Sequence, residues 1–191
     1  MKRFGIALTT ARLIVSLASP ARARECEGVT LPNQVQVEGT ALRMVGMGVR
    51  EATALSVNVY VAGLYLENPT RNAREVINSA QKKRLVLHFV RDVDASDIRE
   101  AMSEGFNENG GNTPALRQRL AQLVALLPAM REGGRLVFTY IPGTGVQVQV
   151  GGSVKGTIAG EDFARVFYSI WFGPNPPNAG LKTGLLGGEC G

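Results

Sequence analysis

The chain has 191 residues, 45% of them hydrophobic and 19% charged, a composition that suits one globular domain and argues against a disordered chain. Its formal charge is +5, but four basic residues and no acidic ones fall within the first 23 positions. No apolar run reaches the roughly 18 residues that a membrane-spanning helix needs.

Residues 1–23 read as an export signal. Lys2 and Arg3 form a basic start, an apolar stretch interrupted by Arg12 runs from Phe4 to Ala18, and Ala21-Arg22-Ala23 is an A-x-A cleavage site. Cleavage would leave one domain, residues 24–191, with a formal charge of +1, in a periplasmic location. So small a charge gives no basic footprint for nucleic acid, and Lys82-Lys83-Arg84 reads as a solvated cluster flanking a strand. Cys26 and Cys190 have no Cys or His nearby at metal-ligand spacing. In an oxidising compartment a bond between them would close almost the whole mature chain; two free thiols are the alternative.

Short alternating runs at Val35-Gln36-Val37 and Leu42-Arg43-Met44 predict strands, and Gly46-Met47-Gly48 a turn. From Val57 to Val61 apolar and polar residues alternate, but beyond Gly63 the phase inverts and Leu64 and Leu66 fall on the formerly polar face. Either a bulge at Gly63 or burial of the strand on both faces would explain this. Arg50 stands at the head of that region. A continuous strand from Arg50 to Tyr60 would hold the two about 33 Å apart, whereas a reversal near Leu55 would set them opposite each other. The intervening residues lack Gly and Pro, so periodicity leaves both arrangements open.

A short helix over residues 70–80 precedes a strand at residues 84–90, which carries the single histidine, His88, read as structural or exposed. Asp94-Ala95-Ser96 opens a helix through Ile98, Met102 and Phe106 that stops at Gly110-Gly111. Thr113-Pro114 starts the next one with a cap and a proline at its first position. Residues 136–150 form a predicted hairpin about Pro142-Gly143-Thr144-Gly145. Residues 161–172 are an amphipathic helix with Phe163, Val166, Phe167, Ile170 and Trp171 on one face, ended by Pro174, Pro176 and Pro177. The predicted class is α+β, an antiparallel sheet with helices on one face.

No nucleophile elbow, P-loop, H-E-x-x-H or dinucleotide fingerprint is present, and with one histidine and two terminal cysteines neither a Ser/Cys-His apparatus nor a histidine-based metal site is expected. Glu104 and Glu108, four apart, read as a solvated helix face. Arg50 is what remains for chemistry.

Gly48-Val49-Arg50 and Tyr60-Val61-Ala62-Gly63-Leu64-Tyr65-Leu66-Glu67 resemble segments of the chalcone isomerase superfamily. The likeness is closer to its bacterial, exported chalcone isomerase-like proteins. These show phrases like Ile141-Pro142-Gly143-Thr144-Gly145 and Ser169-Ile170-Trp171-Phe172-Gly173, followed by Leu181-Lys182 and Leu185-Leu186-Gly187. The resemblance implies an open-faced β-sandwich, a large antiparallel sheet covered by helices with a ligand cleft between them, and it favours the hairpin that brings Arg50 to Tyr60. It implies that Arg50 clamps a small amphipathic anion such as a fatty acid. Alternatively, in a ring-closing intramolecular lyase, Arg50 would stabilise an enolate with Tyr60 as hydrogen-bond donor. A third possibility is a non-catalytic envelope interaction protein. The plant enzymes carry threonine where this chain matches Tyr60, and their helical tyrosine falls near Phe106, which has no hydroxyl. The asparagine of that site falls near Asn107 or Asn109, and its Ser/Thr near Ser169. No cofactor and no metal is implied, and a monomer is expected.

Overall fold

The computed structural model describes residues 23–52 and 57–190. The expected signal segment lies outside the described residues except for Ala23, and so does the reversal near Leu55.

A meander of seven antiparallel strands forms the main sheet, each strand hydrogen-bonded to the next in sequence. The strands are β3 (Gln34–Val37), β4 (Thr40–Ala52), β5 (Val57–Leu66), β6 (Lys83–Phe89), β7 (Arg135–Ile141), β8 (Gly145–Val150) and β9 (Ser153–Ile158). Ahead of them, β1 (Ala23–Cys26) and β2 (Val29–Pro32) make a separate two-stranded ribbon. Five helices complete the chain: α1 (Ala73–Asn78), α2 (Ala95–Glu108), α3 (Pro114–Ala125), α4 (Glu161–Phe172) and α5 (Ala179–Leu185). A large antiparallel sheet with helices packed against it is the expected α+β class.

Two apolar layers show how the sheet is covered. On the helix side, Ala62, Leu64 and Leu66 of β5 meet Leu85 and Leu87 of β6, Phe138 of β7, and Phe163, Phe167 and Trp171 of α4. On the other side, Val61 and Tyr65 of β5 lie in a second cluster with Cys26, Val29 and Leu31 of the ribbon. Strand β5 is therefore buried on both faces, which accounts for the inverted hydrophobic phase. No bulge occurs at Gly63; its missing side chain makes room for Leu31, whose Cδ1 would lie 2.7 Å from a Cβ there. The pairing of β4 with β5 is instead interrupted between Met44 and Gly46 and between Arg50 and Glu51.

The turn expected at Gly46-Met47-Gly48 is not formed. Both glycines lie inside β4, where the sheet receives α5 at close range. A Cβ at Gly48 would sit 2.5 Å from the Leu181 carbonyl, and one at Gly46 would overlap the Gly184 carbonyl. Glycine is required here by backbone approach, with no change of chain direction.

Lys82-Lys83-Arg84 is also corrected. Lys83 is 1% exposed, and its Nζ donates to the carbonyls of Val76 at 2.5 Å and Ile77 at 3.2 Å in α1. The Tyr140 and Tyr168 rings lie 5.2 and 5.1 Å away, so carbonyl dipoles and π-faces replace its hydration. Lys82 pairs with Glu38 at 3.2 Å, and Arg84 donates to Thr139 at 2.9 Å. The triplet is a set of tethers between strands and α1.

Helix α3 forms where its cap predicts. Thr113 accepts from the Leu116 N–H at the start of α3, with Pro114 at the first helical position. The α4 boundaries coincide with the sequence reading, and Phe163, Phe167, Ile170 and Trp171 are buried as its inner stripe; Val166 is partly buried. Cys26 and Cys190 form a disulfide with Cα atoms 5.7 Å apart, fastening the ribbon to the C-terminal segment. Among the described residues, no helix is long and apolar enough to cross a membrane.

Candidate ligand cleft

Strands β4 and β5 are antiparallel, and Arg50 and Tyr60 are direct partners across the ladder. The shift after Met44 puts Gly46, Gly48 and Arg50 on the helix side, so that Arg50 projects where β4 runs out beyond α5. Its guanidinium is half-buried and donates to the Glu51 carbonyl. Among the described residues no carboxylate lies within salt-bridge distance of it, so the simple pairing with Glu51 or another acidic side chain does not occur. The remaining N–H groups of its five-donor fork are available for a ligand.

Tyr60 is fixed by two aromatic neighbours. Its hydroxyl accepts from Trp171 Nε1 at 3.1 Å, and its ring meets Phe89 edge-on at 5.7 Å. Burial pushes the phenol up to about 12, and the Trp171 hydrogen bond and the charge of Arg50 offset only part of that rise. Tyr60 therefore keeps its proton near neutrality. With its oxygen taken by Trp171, the O–H remains as a donor; among the described residues no acceptor engages it.

These two side chains stand at the wall of a cleft of about 790 Å3. Its apolar lining is Val59, Leu87, Phe89, Ile98, Met102, Ile170 and Trp171, from β5, β6, α2 and α4. Such a volume and lining fall in the range of small-molecule sites, about 300–1,000 Å3. The polar rim carries Arg50 and Arg91 against Asp92, Asp94, Asp97, Glu104 and Glu108. Asp92 is engaged by Arg131 at 2.5 Å. The other four carboxylates come from the entry and outer face of α2 and give the rim a net negative character. Glu104 and Glu108 are exposed, as expected of a solvated face, but that face borders the cleft.

The other sequence candidates do not line the cleft. Phe106 is fully buried in the core, 5.1 Å from the Phe163 ring. Ser169 turns its hydroxyl back to the Arg165 carbonyl at 2.9 Å on an exposed part of α4. Asn109 is the C-cap of α2; its side chain bonds the Gly105 and Asn175 carbonyls at 2.8 and 3.0 Å. His88 accepts from Arg135 at 3.2 Å, and burial together with that cation lowers its pKa; it is structural. The local sequence shows Trp171 only as part of a buried stripe. Its role as donor to Tyr60 had no local signal, because the partners are 111 residues apart.

The sequence model of the family described as chalcone isomerase-like matches residues 23–187. The chain belongs to that family. Comparison with curated protein sequences finds no match. Among solved structures, a fatty-acid binding protein of Arabidopsis thaliana is similar, with 16% identity and a TM-score of 0.70, covering 86% of this chain and 96% of that one. At this identity the likeness establishes the chalcone isomerase-like fold.

Proposed function

We propose that this chalcone isomerase-like protein binds a small amphipathic carboxylate, such as a fatty acid, in the cleft between β4–β6 and α2. The carboxylate is held by the Arg50 fork and the Tyr60 O–H, and the apolar portion lies on Phe89, Ile98, Met102 and Trp171. The observation that carries this reading is a cationic side chain with no carboxylate partner among the described residues, beside a phenol whose oxygen already accepts a hydrogen bond, both at an apolar cleft. The fatty-acid binding function of the Arabidopsis relative supports it. The acidic side chains of the rim repel a carboxylate, and Arg50 and Arg91 are the cationic points of the opening that attract it. The Cys26–Cys190 bond and the leader-like residues 1–23 support an exported protein in an oxidising compartment.

The ring-closing reading has less behind it. Phe106 supplies no hydroxyl and lies buried away from the cleft, so the water-orienting group of the plant site has no counterpart at that position. Isothermal titration of palmitate into the wild type, Arg50→Ala and Arg50→Lys tests the proposal. Binding by the wild type, weakened at least tenfold in Arg50→Ala and partly restored in Arg50→Lys, is expected. Equal binding by all three would overturn the clamp.

A further inference from the structure

One end of the cleft is covered by a short segment between α4 and α5, Pro174-Asn175-Pro176-Pro177, of which Asn175, Pro176 and Pro177 line the cavity. Three prolines in four positions make it a stiff strap with few conformations of its own. It begins three residues after Trp171, the partner of Tyr60. It ends at Asn178, whose side chain donates to the Val49 carbonyl at 3.1 Å, next to Arg50. The strap therefore crosses the end of the cleft where Arg50, Tyr60 and Trp171 meet.

The two ends of the strap are anchored independently of α2. At one end Gly173 N–H bonds the Ser169 carbonyl at 2.7 Å and the Gly173 carbonyl accepts from Lys182 Nζ at 2.7 Å; at the other Asn178 bonds the Val49 carbonyl. Its middle is held differently. Asn109 donates to the Asn175 carbonyl at 3.0 Å and accepts from the Asn175 N–H at 3.3 Å, while Asn175 Nδ2 donates to the Glu108 carbonyl at 3.1 Å. A Cβ at residue 173 would overlap Asn109 Oδ1, so glycine there is what lets the amide close on the strap. These bonds are solvent-exposed, of the kind that exchanges readily with water, and they join the strap to the helix forming the opposite wall.

We propose that Asn109 is a latch: its amide holds the strap closed over the Arg50 end of the cleft, and release of that latch governs how fast a bound carboxylate leaves. Asn109 thus acts on the ligand through the strap, as a positioning residue. This inference rests on the carboxylate-binding reading of the same cleft.

The single tryptophan reports the strap without any ligand, because Trp171 is 2% exposed and lines the same cleft as Asn175, Pro176 and Pro177. Acrylamide quenching of Trp171 and stopped-flow displacement of palmitate are measured for the wild type, Asn109→Ala, Asn175→Ala and Arg50→Ala. Asn175→Ala keeps the α2 cap and loses only the bond to Glu108, so it guards against a folding defect. In Asn109→Ala, stronger quenching and palmitate dissociation faster by about tenfold are expected, the size that follows from losing two or three exposed hydrogen bonds. Asn175→Ala should change both in the same direction by about threefold, as one such bond implies. Arg50→Ala should lose palmitate with quenching unchanged. Unchanged quenching in Asn109→Ala overturns the latch, and raised quenching with an unchanged dissociation rate overturns its part in retention. A wild type that binds no palmitate overturns the carboxylate reading and retention with it, an outcome told apart by the ligand-free quenching.

Discussion

The Tyr60 hydroxyl accepts a 3.1 Å hydrogen bond from the Trp171 indole, joining β5 to α4 across the wall of the cleft. The bond fixes the phenol, and with it the direction in which its own proton is offered. It also satisfies a donor on a side chain that is 2% exposed. Tyr60→Phe keeps the ring and leaves the indole N–H buried without a partner, which costs about 1–3 kcal/mol. Chemical denaturation followed by circular dichroism should show a lower midpoint at unchanged slope, and palmitate affinity should fall as well.

Lys83 carries a pH signature. Burial lowers its pKa from the ordinary 10.5 to about 8. Because the folded-state value lies below the unfolded one, the unfolded chain binds more protons between these limits, and stability rises with pH across that window. The charge cost is fully present below about pH 8 and is relieved progressively towards 10.5. Relative to Lys83→Met, the wild type should gain about 2 kcal/mol from pH 7 to pH 10, measured by urea denaturation at each pH. A parallel pH dependence for the two proteins would show that Lys83 does not titrate in this way.

The disulfide should dominate the stability of the ribbon. It links residues 164 apart, and the chain-entropy model assigns such a loop about 5 kcal/mol. Cys190→Ser, or reduction of the wild type, should therefore lower the melting temperature by on the order of 10 °C for a domain of this size. Reductant should have no further effect on the Cys190→Ser protein. Because the ribbon lies on the face opposite the cleft, palmitate binding should survive at temperatures where the reduced protein stays folded.

Much of this architecture was legible because local signals agreed with the final packing. Thr113-Pro114 capped α3, the inner stripe defined α4, and alternating residues gave β7 and β8. What escaped the sequence depended on partners distant along the chain. Gly46 and Gly48 looked like a turn because no local pattern shows that α5 returns to press on them. Lys83 looked solvated as one of three adjacent cations, although its parity with Leu85, Leu87 and Phe89 places it on the helix-facing side of β6; that period-two relation was the available signal. At the cleft, Arg50 and Tyr60 could be paired only once a reversal near Leu55 was favoured. Trp171, Arg91 and the acidic rim come together only through the crossing of α2 and α4 over the sheet. Phe106, Asn109 and Ser169 were proposed by correspondence with a related site, and their side chains point to the core, to the strap and back along α4.

The clamp at Arg50 is tested most directly by a crystal structure of the protein grown with palmitate. The account predicts the carboxylate within hydrogen-bonding distance of the Arg50 guanidinium and the Tyr60 hydroxyl, with the acyl chain along Met102, Phe89 and Ile98. A palmitate bound with its carboxylate on the solvent side and its methyl end at Arg50, or bound outside this cleft, would contradict it.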